Sequence, residues 1–223
     1  MSISFAFLAT MLAGFLDAVG FQQLNHLYVS FMSGNSTHLG MALAAGEWVA
    51  AGQTSIVVGA FVAGAFVGTL LSDLAAKPIP RLLVVEVVFC AIAVALAAGG
   101  LPSLALTLIA VTMGMQNVMH RSIAGTDAGK SFVTGALFGL GQSLAHAVTR
   151  RGGLPPACVN AFSWISFVLG VSCGALSFTH WGVVSSLGIA LAALISMLAL
   201  ALKASGMSAA ERASGQEADP QGR

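Results

Sequence analysis

Charge is scarce in this sequence: only 8% of its 223 residues are Asp, Glu, Lys or Arg, while 57% are hydrophobic. An average soluble domain carries roughly 25% charged residues. A water-soluble fold of this size needs a polar shell that this composition cannot supply, so the bilayer is the natural solvent. The formal net charge of +1 gives no basic face for a nucleic acid. Cysteine is scarcer still. Cys90, Cys158 and Cys173 lie inside apolar stretches with no CxxC or Cys/His ligand spacing, which reads as small core residues rather than a disulfide framework or a zinc site. No phosphate loop of the G-x-x-x-x-G-K type is present, which argues against an ATP-driven pump. Neither a Ser/His pair, a carboxylate pair nor a metal constellation appears, so an enzyme, a bound metal and a cofactor are not expected.

What is present is a series of apolar segments: Ile3 to Leu24, Phe31 to Ala45, Thr54 to Ala75, Leu82 to Gly99, Leu101 to Met119, Phe132 to Val148, Ala157 to Phe178 and Gly182 to Leu202. Six have about the 20 residues that cross some 30 Å of hydrocarbon at 1.5 Å per residue. Two are short. Phe31 to Ala45 carries Ser33, Asn35, Ser36, Thr37 and His38 in its first half, and Phe132 to Val148 is its counterpart. All six prolines fall between segments or in the tail, which supports these boundaries. The first segment lacks the positive flank of a signal peptide and continues past Asp17 to Leu24, so it reads as mature structure. The tail from Lys203 onward reads as disordered.

Three landmarks recur in the same order. Gly14-Phe15-Leu16-Asp17 returns as Gly114-Met115-Gln116-Asn117. Phe31-Met32-Ser33-Gly34-Asn35 returns as Phe132-Val133-Thr134-Gly135-Ala136. Phe61, Gly64 and Gly68 return as Phe167, Gly170 and Gly174. The chain therefore divides into a first repeat (1–100), a second repeat (101–203) and a cytoplasmic tail (204–223).

Positive charge then orients the halves, because short cytoplasmic loops carry the excess of Lys and Arg. Eight full crossings would put Lys77, Arg81, Arg121 and Lys130 outside, and Arg150, Arg151 and Lys203 inside, with no bias. If the two short segments dip in and return, every Lys and Arg falls on the cytoplasmic side. The expected fold is an all-α polytopic membrane protein made of two inverted-topology repeats, each with three spanning helices and one short re-entrant helix. Both termini are expected on the cytoplasmic side of the membrane.

Asp17 is the one acidic residue deep in its segment, so it faces either a polar cavity or a partner. It reads as a loop-holding hydrogen-bond acceptor, a proton-coupling carboxylate or a substrate contact. Ser33-Gly34-Asn35 and Thr134-Gly135 are helix starts near mid-membrane, whose backbone N–H groups and macrodipole suit an anion. Ordinary capping of packed helices is the alternative. Together with Gln116 and Asn117 these residues form the expected substrate site. Gly64-x-x-x-Gly68 and Gly170-x-x-x-Gly174 read as packing motifs, Glu86 as an ion-pair partner of Arg81, and the five histidines as interface or packing residues.

Gly14-x-x-Asp17-Ala18, Phe31-Met32-Ser33-Gly34-Asn35 with Leu39-Gly40, Gly114-Met115-Gln116-Asn117 and Phe132-Val133-Thr134-Gly135 resemble the hallmarks of the YoaK-like family of bacterial integral membrane proteins, over about residues 4 to 203. Ser33 stands where that family usually has Thr, and Phe132-Val133 where it often has two threonines. The resemblance implies a bacterial inner membrane and carries no function. The leading expectation is a small secondary transporter or channel for an anionic or zwitterionic solute, with the lipid bilayer and a homo-oligomer as further partners. A membrane scaffold or regulatory subunit is the rival.

Overall fold

The computed structural model describes residues 3–75, 78–124, 132–150 and 154–217, the side chains of 3–4, 119–124, 132 and 207–217 excepted. Lys77, Lys130 and Arg151, and the side chain of Arg121, on which part of the charge argument rests, lie outside that description, as do the first two residues, Lys130 and Ser131, of the expected re-entrant path to Thr134. Among the described residues there are seven helices and no strand: α1 (Ile3–Gln23), α2 (Met32–Ala45), α3 (Trp48–Asp73), α4 (Pro78–Ala98), α5 (Pro102–Ala124), α6 (Phe132–Val148) and α7 (Pro155–Glu217).

Proline and glycine set most of the boundaries. Pro78, Pro102 and Pro155 each open a helix, where the missing N–H costs nothing and the fixed φ is already helical. For this reason α4 begins four residues before Leu82. α2 ends at Gly46, whose φ of 73° is left-handed and whose N–H reaches back to the Ala42 and Leu43 carbonyls. α3 then starts directly at Trp48, six residues before Thr54.

Four helices are long and apolar enough to cross a membrane: Phe5–Gln23, Trp48–Asp73, Pro78–Ala98 and Pro155–Gly206. The last would extend about 78 Å if straight, more than twice the hydrocarbon thickness. It is not straight. Gly182 has φ 73° and ψ −178° inside it, and Ser177 Oγ lies 2.8 Å from Ser186 Oγ, where nine residues of straight helix would span about 13 Å. α7 is therefore a hairpin of two apolar arms, which accounts for both expected segments there. Its second arm runs to Glu217, so the tail expected to be disordered is helical through that residue. Ala, Met, Glu and Arg are good helix formers, and extending an existing helix needs no new nucleus.

α1 is the central helix: 61% of its spanning window is buried, against 22% for α3. Its Phe5, Leu12, Leu16 and Val19 join Leu82, Leu83, Leu106, Ile109, Leu187 and Leu194 in one core. Ile56, Val62, Phe66 and Leu70 of α3, and Phe162, Leu169 and Leu176 of α7, are exposed. Such a belt would be an aggregation surface in water; on spanning helices it is the face against lipid.

The tightest helix contacts come in matched pairs. A Cβ at Gly14 would strike the Phe167 carbonyl, and one at Gly114 the Phe61 carbonyl. Gly170 abuts the Met11 carbonyl and Gly64 the Val111 carbonyl; Gly174 abuts the Phe15 carbonyl and Gly68 the Met115 backbone. Each pair links positions that correspond in the two halves of the sequence. α1 thus packs on the first arm of α7 as α5 packs on α3. Phe7 meets Phe162 near the start of the first pair and Gln22 meets Thr179 near its end, while the early turns of α3 and α5 lie together, so in both pairs the partners run parallel. The small-xxx-small motifs serve close backbone approach.

Candidate functional site

Asp17 lies six residues before the end of α1, about 9 Å along its axis. Beyond Gln23 the chain reverses through Asn25 and His26, both with positive φ, and descends again along α1. Asp17 is what it meets. Its Oδ1 accepts from the Val29 N–H (2.9 Å) and the Ser30 N–H (2.6 Å), and its Oδ2 from the Ser30 hydroxyl (2.7 Å). Asn35, in the first turns of α2, binds the same loop from the other side: its Oδ1 accepts from the Tyr28 N–H (2.9 Å) and its Nδ2 donates to the Tyr28 carbonyl (2.7 Å). Both side chains are almost fully buried. The ring of Tyr28 packs at a tilt on Phe21 and edge to face on Phe31. Of the readings open for Asp17, the geometry realises the loop-holding acceptor.

Two expectations for this helix start need correction. Phe31, not Ser33, is the N-cap of α2, and it makes no side-chain cap; Ser33 is exposed within the first turn, its carbonyl accepting from the Thr37 hydroxyl. The reason is that Asp17 and Asn35 already take the loop's amides, so no hydroxyl cap is needed to hold the chain entering α2. Gly34, expected to let a ligand approach, has the rings of Phe31 and Tyr28 where its Cβ would be. The amides of Ser33 and Gly34 make no backbone hydrogen bond among the described residues.

The second half is not built the same way. Asn117 is exposed and returns its Nδ2 to the Met113 carbonyl of its own helix (2.9 Å). Gln116 is buried with its Nε2 unpartnered. Thr134 is exposed and Gly135 half-buried in the first turn of α6. Of the expected substrate residues the structure therefore joins Asp17, Gly34 and Asn35 around residues 28–31. No recorded hydrogen bond links them to Ser33, Gln116, Asn117, Thr134 or Gly135.

Two adjoining cavities open at the end of α1. One, of about 310 Å³, is bounded by Gln23, Leu24 and Asn25, by Gln53, Ile56 and Val57 of α3, and by Ser103, Leu104 and Thr107 of α5. The other, of about 610 Å³, lies between Asn25, Leu27, His38 and the α2–α3 turn from Gly46 to Ala50. They share Asn25, Leu27 and Gln53. His38 Nδ1 is 3.1 Å from the Thr54 hydroxyl, which ties α2 to α3 at the wall.

Sequence reasoning missed Glu86. It is fully buried and neither carboxyl oxygen has a hydrogen-bond partner, while Arg81 is exposed. Five residues turn a helix through about 140° beyond a full circle, so the expected ion pair cannot form along one face. The signal was available: Leu82, Leu83, Cys90 and Ala93, at helical spacing from Glu86, are all buried. Leaving an ionised carboxylate there costs at least about 2.5 kcal/mol on insertion scales. Among the described residues no group of three His, Cys, Asp or Glu could hold a metal ion.

The chain is similar to the UPF0700 transmembrane protein RA0705 of Rhizobium meliloti (strain 1021), 30% identical over 147 residues, which make up 65% of this chain and 63% of that protein. No solved structure matches. A family model described as "Protein of unknown function (DUF1275)" matches residues 5–202, in accord with the resemblance carried by the Asp17, Asn35 and Asn117 motifs, and the chain belongs to that family of membrane proteins.

Proposed function

We propose that the protein is a small secondary transporter or channel of the bacterial inner membrane, with both termini cytoplasmic, that passes a small anionic or zwitterionic solute between two inverted repeats, and that it is not an enzyme. The observation that carries this reading is the cavity at the end of α1. Gln23 and Leu24 share it with the early turns of α3 and α5. If α2 crossed the membrane, the end of α1 and the start of α3 would stand on opposite sides of some 30 Å of hydrocarbon. A shared cavity instead fits an α2 that returns to the side it left, with α3 and α5 running against α1. The second cavity agrees, since Asn25 before α2 and Gly46 to Ala50 after it lie on one wall. The matched glycine contacts fit a two-fold exchange between the halves, and with α1 opposed to α5 the axis lies in the membrane plane. That is the architecture of many secondary carriers. In this arrangement the first turn of α2 begins at the depth of Asp17, its amides and macrodipole favouring negative charge, and α6 with Thr134 and Gly135 answers it from the opposite side.

The rival reading, a non-transporting scaffold or regulatory subunit, draws on one observation: Asp17 and Asn35 are occupied in holding the 24–31 loop. Reconstituted vesicles separate the two. A carrier takes up at least one compound from a panel of small anions, amino acids and organic acids, and the same compound raises its melting temperature. Should the whole panel give neither flux nor a thermal shift, the scaffold reading stands in its place.

A further inference from the structure

The clamp at Asp17 accounts for one buried carboxylate and leaves the other unexplained. Glu86 sits near the middle of α4 with both oxygens unpartnered. α4 packs against α3, α5 and α7. The charged and titratable groups these bring are few. α3 offers only Asp73 at its far end, α5 offers none from Pro102 to Val118, and the second arm of α7 offers none before Lys203. On α4 itself Arg81 is exposed on another face, and Cys90, one turn along, gives its thiol to the Leu187 carbonyl (3.8 Å). Among the described residues of these helices no Lys or Arg side chain faces Glu86.

A second unpartnered polar group lies at nearly the same height. α4 and α5 form a hairpin about Gly99 and Gly100, the latter with φ 83°. Positions 86 and 99 differ by 13 and positions 100 and 116 by 16, so Glu86 and Gln116 are offset by about 4.5 Å along the helices. Gln116 Nε2 is buried without a partner. Thr112, one turn earlier on the same face of α5, is also fully buried, and its hydroxyl donates to the Leu108 carbonyl, leaving its lone pairs free to accept.

We propose that Glu86, with the polar face Thr112–Gln116 of α5, is a binding site for one monovalent cation, a proton or Na⁺, in the core of the α4–α5 hairpin. A buried carboxylate without a protein counter-charge is neutralised by what it binds. A proton does this alone and provides a donor. Na⁺ does it as a hard cation, taking oxygen from the carboxylate, the Gln116 carboxamide and the Thr112 hydroxyl. A single carboxylate matches a single positive charge, which favours a monovalent over a divalent ion. The use of this site to couple solute movement rests on the carrier reading; the binding itself does not.

The test uses purified full-length protein in lipid nanodiscs. Melting temperature is followed while NaCl replaces choline chloride at constant ionic strength. A sodium site gives a rise that follows ln(1 + [Na⁺]/Kd), logarithmic above Kd, and is absent in Glu86→Gln. A proton site gives no sodium response but shows, in the infrared, a protonated carboxyl band that shifts in D₂O, persists in Asp17→Asn and is lost in Glu86→Gln. Both measurements are informative on the wild type alone should Glu86→Gln fail to fold. A wild type with neither a sodium response nor such a band overturns the proposal. Cation binding without flux of any solute keeps this site and removes the carrier; flux without cation binding does the reverse.

Discussion

Truncating Asp17 to Ala should release the loop between α1 and α2, and the size of the effect follows from its three hydrogen bonds. Hydrogen bonds to a charged group contribute about 1.5–3 kcal/mol each, and a buried donor left unpaired costs about 1–3 kcal/mol. The Val29 N–H is wholly buried and the Ser30 N–H partly so. Asp17→Ala therefore destabilises by about 4 kcal/mol, unless the loop opens locally and limits the loss. Asp17→Asn keeps Oδ1 as acceptor for both amides, and the Ser30 hydroxyl can rotate to accept from the new amide, so the cost falls to about 1–2 kcal/mol, the difference between charged and neutral bonds. Thermal unfolding in detergent gives the ranking, and hydrogen exchange read by mass spectrometry gives the place: residues 28–31 lose protection in Asp17→Ala before the helices do. A double-mutant cycle with Ser30→Ala should show coupling of about 0.5–3 kcal/mol. Unchanged exchange at 28–31, or an Ala variant as stable as the Asn variant, would refute the clamp.

Two further predictions test the chain's path. Single cysteines at Asn25 and Gly46, in a background without Cys90, Cys158 and Cys173, should both react with an impermeant thiol reagent applied from outside the cell; labelling from opposite sides would restore a crossing α2. In the same background, Ser177→Cys with Ser186→Cys should form an intramolecular disulfide under mild oxidant, because the two Oγ atoms are 2.8 Å apart, whereas no cross-link would mean that α7 does not fold back at Gly182.

The sequence made the lipid-facing architecture legible because hydrophobicity alone decides it. The limits of α1, α2 and α6 are nearly those of the apolar runs, and the paired glycines announced close contacts without saying which helix met which. That pairing depends on tertiary geometry, since Gly14 could meet any small-faced helix. The Ser33-Gly34 helix start was misread because capping residues were sought locally, while the groups that hold this entry come from Asp17, more than a turn inside another helix, and from Asn35. Glu86 was misread because nearness along the chain was taken for nearness in space. A break between Phe178 and Gly182 was expected from the two apolar segments, whereas the helix beyond Lys203 was not, because polar composition outweighed continuity with an existing helix.

The matched glycine contacts are equal in space and unequal in time. Gly64 meets Val111 across 47 residues of chain, but Met11 meets Gly170 across 159. At roughly 5–20 residues per second of synthesis, α5 reaches α3 within about 2–10 s of α3 being made. α1 waits about 8–30 s for the first arm of α7. During that interval the small-residue face of α1, central in the finished protein, has no partner. The hairpin units α3–α4–α5 can close before the α1–α7 contact exists, and closing that long contact last carries the larger loop-closure entropy. Assembly is thus vectorial: the second half completes the first, and a chain stopped after α5 leaves the small-residue face of its earliest helix uncovered.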